Sequence, residues 1–325
     1  MEEKRVVVVG GTNIDLVSKT RRFPRAGETV VGESFYKGYG GKGANQAFTI
    51  ARLGVPISFV ACVGEDDFGQ EMIANARGEG IGTSHIRVVN GCSSGTALIV
   101  VDSEGQNRIV VVPGANNEVT PQDVDKAEET IARAALLVTQ FEIPLKTVQR
   151  AIQVASKHGV PVLLNPAPPS DRVDSSLLKQ VDILVPNETE AEALTDVSKD
   201  ATDFAVTAIR NLRGKGARRV IITLGERGSM LTDSKKMWHI DAYKVHVEDT
   251  TAAGDAFVGA LAAGYHFFPD LRVLTRFASA VAALAVTRKG AQSSLPSQRD
   301  VDEFLVEHDP ELLATFRGMT RRRQR

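Results

Sequence analysis

Short apolar runs bounded by turn-forming residues alternate with stretches of helical spacing along most of this chain. Residues 5–10 form a β-branched run that ends at glycines and predicts a buried first strand. Residues 28–36 are extended and turn-bounded. Residues 43–53 carry helical spacing and stop at Gly54, with Pro56 just beyond, which predicts a helix and its end. A strand at 57–63 and a helix at 68–77 follow. Two β-rich runs, 96–102 and 107–112, are joined by Ser103-Glu104-Gly105-Gln106, a hairpin signal.

After Pro121 strands and helices alternate with short connections. Strands are predicted at 135–139, 160–165, 183–186 and 219–223, and helices at 145–157, 188–194 and 201–213. Short strands at 229–233, 236–240 and 243–247 lead into helices at 254–267, 271–287 and 298–307. Such alternation builds right-handed βαβ units, so the fold class is α/β, with a mostly parallel central sheet and helices on both faces. The extended segments 28–36 and 96–112 do not fit that rhythm and predict a small separate sheet. Ala97-Leu98-Ile99-Val100-Val101 is apolar on both faces, so a lid that covers a ligand with one face has a homodimer contact as the use of the other. The organisation read is one domain over 1–310, with a lid from about 12–42 and 91–113. Residues 311–325 are a basic tail, read as a solvated, frayed terminus.

Composition narrows the function. The 325 residues carry 39 Lys+Arg against 40 Asp+Glu, and 42% are apolar, which rules out disorder for the bulk of the chain. A net charge of −1 argues against nucleic acid as a partner. Two cysteines, Cys62 and Cys92, make no disulfide framework and imply a reducing compartment. The run 6–9 is too short for a signal peptide, and 278–286 is about half of the roughly 20 residues a membrane span needs. The expectation is a cytoplasmic protein without a membrane partner. The six histidines show no metal-site spacing, and Trp238 reads as packing.

Two segments carry candidate chemistry. In Asp249-Thr250-Thr251-Ala252-Ala253-Gly254-Asp255 small residues run into an apolar helix with one carboxylate in its first turn. Small side chains let amide N–H groups approach an anion, and the helix N-terminus adds partial positive charge. Asp255 could accept a hydroxyl proton there, or simply cap the helix. Tyr39-Gly40-Gly41-Lys42-Gly43-Ala44-Asn45-Gln46 is a second Gly-rich turn opening a helix, without the Gly-Lys-Ser/Thr of a Walker A loop. Lys42 and Asn45 offer donors for sugar hydroxyls.

Together these segments resemble the two signatures of the PfkB (ribokinase-like) carbohydrate kinase family. The likeness extends through residues 11–15, 24–28, 186–190, 223–228 and 285–292 and covers nearly the whole chain. It implies a ribokinase-like α/β fold with a β lid, and ATP-dependent phosphorylation of D-ribose at O5. Deoxyribose, another sugar or a nucleoside are alternative substrates, and a non-catalytic sugar-binding regulator is the rival of another class. By this resemblance Asp255 is the general base, and the N–H groups of Ala252, Ala253 and Gly254 form an anion hole. Asn13, Asp15, Gly41, Lys42, Asn45 and Glu142 bind the sugar. Asn187, Thr223, Gly225, Gly228, Gly254 and Ser279 contact the nucleotide, although the family commonly has Asn or His at the last position. Asn187 and Glu190 organise Mg²⁺ around the phosphates; from the residues alone they equally read as a helix cap with its capping-box acid. A K⁺ ion is implied beside Asp249, Thr251, Ala285, Arg288, Gly290 and Ser294.

Overall fold

The opening valine run becomes β1 (Val6–Val9), and its alternate residues enter opposite cores. Val6 and Val8 pack with one cluster, Val7 and Val9 with the other. That is the expected behaviour of a strand covered on both faces, since successive side chains point to opposite sides. The computed structural model describes residues 5–170, 173–233 and 236–323, with side chains through Phe316.

The further strands are β2 (Asn13–Thr20), β3 (Gly32–Gly40), β4 (Ile57–Gly64), β5 (Gly82–Val89), β6 (Thr96–Val101), β7 (Asn107–Val112), β8 (Leu136–Thr139), β9 (Val162–Leu164), β10 (Ile183–Leu184), β11 (Arg219–Thr223), β12 (Ser229–Thr232) and β13 (Met237–Ile240). The helices are α1 (Lys42–Arg52), α2 (Asp67–Gly78), α3 (Pro121–Lys126), α4 (Glu128–Ala132), α5 (Leu145–Lys157), α6 (Ser175–Leu178), α7 (Glu188–Thr195), α8 (Phe204–Gly214), α9 (Ala253–Gly264), α10 (Leu271–Ala285), α11 (Gln298–His308) and α12 (Pro310–Arg323).

Among the described residues, nine strands form one sheet in the order β13-β12-β11-β10-β9-β8-β1-β4-β5. All its neighbours are parallel except at the β11–β12 and β12–β13 edge. Residues of α1, α9, α10, α11 and α12 share the core on one face, and residues of α5, α7 and α8 the core on the other. The α/β expectation with a parallel central sheet is met.

The small sheet has the order β3-β2-β6-β7. The chain crosses between the sheets four times, and the crossings are knit together. The Ile14 N–H donates to Gly95 O at 2.9 Å, Ala44 N–H to Gly11 O at 3.0 Å, and Ala115 N–H to Ser93 O at 2.8 Å. Asn116 ties them further: its Oδ1 accepts from Thr12 N–H at 3.0 Å, while its Nδ2 donates to Asn13 Oδ1 at 2.8 Å.

Three sequence expectations change. β2 and β5 are strands where none was predicted, and β3 begins at Gly32 and runs to Gly40 rather than spanning 28–36. Residues 243–247 are not a strand; Tyr243 instead donates its hydroxyl to Asp309 Oδ2 at 2.6 Å and sets its ring edge-on to Phe304. The basic tail is helix α12 through Arg323, with Leu312, Leu313 and Phe316 buried, so the core extends past residue 310. Trp238 packs on the core beneath the Arg272 guanidinium, 5.4 Å from its ring centroid.

Candidate active site

The site lies at the C-terminal ends of the parallel strands, where βα loops and helix N-termini converge. The start of α1 is one wall. Gly41 takes φ +88°, and a Cβ there would come 2.6 Å from Thr12 Cα; one at Gly43 would meet Gly10 Cα and C at 2.8 Å. Only glycine allows α1 to begin so close to the end of β1.

Close helix packing then brings α9 to α1. Gly259 of α9 faces Thr49 and Gln46, where a Cβ would lie 2.5 Å from Thr49 Cβ. This places Asp255, 7% exposed, against the α1 amides. Its Oδ2 accepts from Asn45 Nδ2 at 2.9 Å and its Oδ1 from Gln46 Nε2 at 3.0 Å. α9 opens on Ala252 in the left-handed conformation, φ +61°, so the chain turns sharply into Ala253 and Gly254. The first amides of a helix have no carbonyl four residues back to accept them. A Cβ on Gly254 would meet nothing within 4 Å, so packing does not require glycine there and the room in front of the amides stays open.

A cavity of about 210 Å³ fronts this helix start, lined by Lys42, Asn165, Asn187, Glu190, Thr223, Thr250, Ala252, Gly254 and Asp255 among others. Asn187 and Glu190 form a capping box at α7. Asn187 Oδ1 accepts from Glu190 N–H at 2.8 Å, while Glu190 accepts from Asn187 N–H at 2.8 Å and from its Nδ2 at 3.0 Å. Asn187 also bridges to Thr223, which joins the ends of β10 and β11. Gly225 and Gly228 both take positive φ in the turn after β11. Gly225, Gly228 and Ser279 do not line this cavity, and Ser279 is 9% exposed within α10.

The sugar-side candidates gather around Asp255. Asp15 on β2 lies so close to Gly40 that a Cβ there would be 2.3 Å from its Oδ2. Burial, and then the charge of Asp255, push Asp15 up to about 6. Glu142 follows β8 and accepts from Lys42 N–H at 2.7 Å. Burial pushes it up to about 7, against the pull of the Lys42 ammonium. The Asp255 charge raises Lys42 above its ordinary value despite burial. Asn45 Oδ1 is buried and has no hydrogen-bond partner, so it is an acceptor available to a ligand hydroxyl. The arrangement can accept several hydroxyl donors on one side and hold an anion at the helix start on the other.

The raised carboxylates carry a stability signature. In the fold the protonated form of Glu142 is favoured, so its stabilisation is full below about 4.5 and is lost as pH rises through about 7. Glu142→Gln is expected to melt with the parent near pH 4 and to exceed it by on the order of 1–3 kcal/mol above pH 7.5. Unfolding of both ligand-free proteins across this range checks it; a constant difference would overturn it.

The Asp249 carboxylate holds a second loop. Its Oδ1 accepts from Thr251 N–H and its Oδ2 from Gly290 N–H, each at 2.9 Å. Partial burial works against the charge, but these bonds keep Asp249 below the usual carboxylate range. Ser294 is fully buried and donates to Ala291 O; Arg288 pairs with Asp300 at 2.9 Å; Ala285 O accepts from Arg288 N–H. The same loop meets the lid through Gln292 N–H to Tyr39 O, and α1 through Arg52 to the Gln292 and Leu295 carbonyls.

Sequence reasoning missed Gln46, Asn165, Gln140 and Asn116. Gln46 ends the Gly-rich signature and Asn165 closes β9 at the ligand-binding edge, a positional signal that could have found it.

The model of the pfkB family of carbohydrate kinases matches residues 3–298. A deoxyribokinase of Salmonella typhi is 39% identical over 300 residues, 92% of this chain and 98% of its own. A ribokinase of Haemophilus influenzae is 41% identical over 302 residues, 93% of this chain and 98% of its own. The structure of Arabidopsis thaliana ribokinase complexed with ribose and ATP matches with a TM-score of 0.85 and 34% identity, over 93% of this chain and 98% of that one.

Proposed function

The chain belongs to the pfkB family of carbohydrate kinases, ATP-dependent sugar kinases, and on that premise we propose that it transfers the γ-phosphoryl group of ATP to O5 of D-ribose, giving ribose 5-phosphate and ADP. The observation that carries the reading is the buried Asp255 carboxylate, held by two amides at the open start of α9. Asp255 accepts the O5 proton as that oxygen bonds to the γ-phosphorus. The bond to the β–γ bridging oxygen breaks and ADP leaves with its electron pair. The Ala252 and Gly254 amides face the charge that develops on the transferring group, and the Ala253 amide, which donates to Thr250 O at 3.3 Å, joins them once that long bond is given up. Asn13, Asp15, Gly41, Lys42, Asn45 and Glu142 orient the sugar; Asn187, Thr223, Gly225, Gly228 and Ser279 serve the nucleotide.

Mg²⁺ fits beside Asn187 and Glu190 in a particular way. Both Glu190 oxygens already accept N–H groups, and among the described residues no cluster of three His, Cys, Asp or Glu side chains could hold a metal. An ion carried by the phosphates and contacting Glu190 through water suits this donor set, and it supplies charge neutralisation at the phosphates. The loop of Asp249, Thr251, Ala285, Arg288, Gly290 and Ser294 offers carboxylate, hydroxyl and carbonyl oxygens suited to K⁺. Replacing Na⁺ with K⁺ is expected to raise turnover severalfold; equal rates in the two salts would remove the cation.

The lid also supports a homodimer. On the strand face opposite Asp15, Phe35, Leu98 and Val110 are exposed by 65%, 46% and 61%. Exposed apolar side chains on such a face suit an interface. Light scattering at micromolar concentration is expected to give the mass of two chains, and Val110→Asp that of one; a parent mass of one chain would sink the dimer.

The reaction is tested by ADP release with Mg·ATP and K⁺ across D-ribose, 2-deoxyribose, fructose and adenosine. Fast turnover confined to ribose supports the reading. The Salmonella deoxyribokinase likeness makes 2-deoxyribose the second reading, and preference for it would leave the kinase chemistry standing and overturn the sugar assignment.

A further inference from the structure

Behind Asp255, away from the sugar, lies a chain of buried amides. Gln46 is fully buried, and each polar atom of its side chain is engaged. Its Nε2 donates to Asp255 Oδ1 at 3.0 Å and to Asn165 Oδ1 at 3.2 Å, and its Oε1 accepts from Gln140 Nε2. Asn165 is oriented in turn, since its Nδ2 donates to Val185 O at 2.9 Å and reaches Glu190 Oε2 at 3.5 Å. Turning the Gln46 amide over would set its oxygen against the Asp255 carboxylate and against Asn165 Oδ1, so only one orientation is tolerated.

We propose that Gln46 is a positioning residue: it fixes the plane of the Asp255 carboxylate and links it through Asn165 to the Glu190 capping box on the nucleotide side. Asn45 and Gln46 are adjacent on α1 and grip the two carboxylate oxygens separately. Asn45 belongs to the sugar side and keeps an open acceptor there. Gln46 faces the interior and has no such role, so its hold on Oδ1 acts through Asp255 alone. Each carboxylate oxygen thereby spends one lone pair on an amide, and the remaining direction is aimed by two anchors rather than one. The charged groups facing Asp255 from its other neighbours are Lys42, Asp15, Glu142 and Glu190.

This inference rests on Asp255 being the base, and the test separates the two. Gln46→Met keeps the length and shape of the side chain and removes its donor. With whichever of the four substrates turns over fastest, its kcat is expected to fall roughly 30- to 100-fold, the scale of a misaimed catalytic group, while the sugar Kd from calorimetry stays within about threefold. The split between kcat and sugar Kd is the decisive readout, because a merely structural loss would weaken both together. Gln46→Leu also removes the donor and adds no charge; should the Met variant not accumulate, a kcat loss at unchanged Kd in the Leu variant supports the same role. A kcat within about threefold of the parent, or a loss matched by equal weakening of sugar binding, would overturn the proposal. Asp255→Asn is run beside them. Retained activity there removes the base itself, whereas an inactive Asp255→Asn with undisturbed Gln46 variants removes only the role of Gln46.

Discussion

Asp255→Asn is expected to lower kcat by about 10²- to 10⁴-fold while the sugar still binds. Asparagine has nearly the shape of aspartate but cannot take the hydroxyl proton. It also carries one acceptor oxygen where Asp255 offers two, each already met by a donor at 2.9 and 3.0 Å. One of those contacts becomes donor against donor, so the variant is expected to lose about 1–3 kcal/mol of stability as well. Steady-state kinetics with calorimetric sugar binding and a melting curve resolve the three effects. A rate within tenfold of the parent would place the base elsewhere, with Glu142 and Asp15 as the remaining carboxylates beside it.

The largest structural effect is expected from Gly41→Ala. Its backbone sits at φ +88°, and the added Cβ would lie 2.6 Å from Thr12 Cα and 2.8 Å from Asn13 N. Both obstacles are main chain, so neither can rotate away. We expect a loss of about 3 kcal/mol or more, and a melting temperature lower by roughly 5–10 °C. Gly54→Ala is the internal control: its φ is +75°, but nothing lies within 4 Å of the added atom. It isolates the conformational part, about 1 kcal/mol. Equal losses at both positions would mean that the collision at Gly41 is relieved by movement of the turn.

The central sheet was legible because its strands are apolar on both faces. β11 falls on the predicted 219–223, and α5 on 145–157. β2 was hidden by its chemistry. Asn13-Ile14-Asp15-Leu16 places polar residues, the candidates for sugar binding, between apolar ones directly after a glycine turn, and no strand is predicted there. β5 carries Ser84, His85 and Arg87 at the sheet edge and lacks a continuous apolar run for the same positional reason. The segment 243–247 shows the reverse error. Its residues favour strand, yet Tyr243 is claimed by Asp309 and Phe304 in sequence-distant elements. In the site, residues on glycine turns announced themselves, whereas Gln46, Gln140 and Asn165 are ordinary polar residues until their mutual geometry is known.

The knitted crossings between the two sheets have a further meaning. Asn13 and Asp15 stand just beyond the first crossing, Gly41 and Lys42 at the second, and Asn116 clasps the first from the fourth. The peptides about which the small sheet would pivot are therefore the same ones that carry the sugar-side groups. Any rotation of that sheet moves Asn13 and Asp15 with it, while Lys42 and Asn45 stay with α1. On the proposed function, sugar affinity and sheet mobility share one short set of residues, so a change that loosens the crossings would also retune the grip.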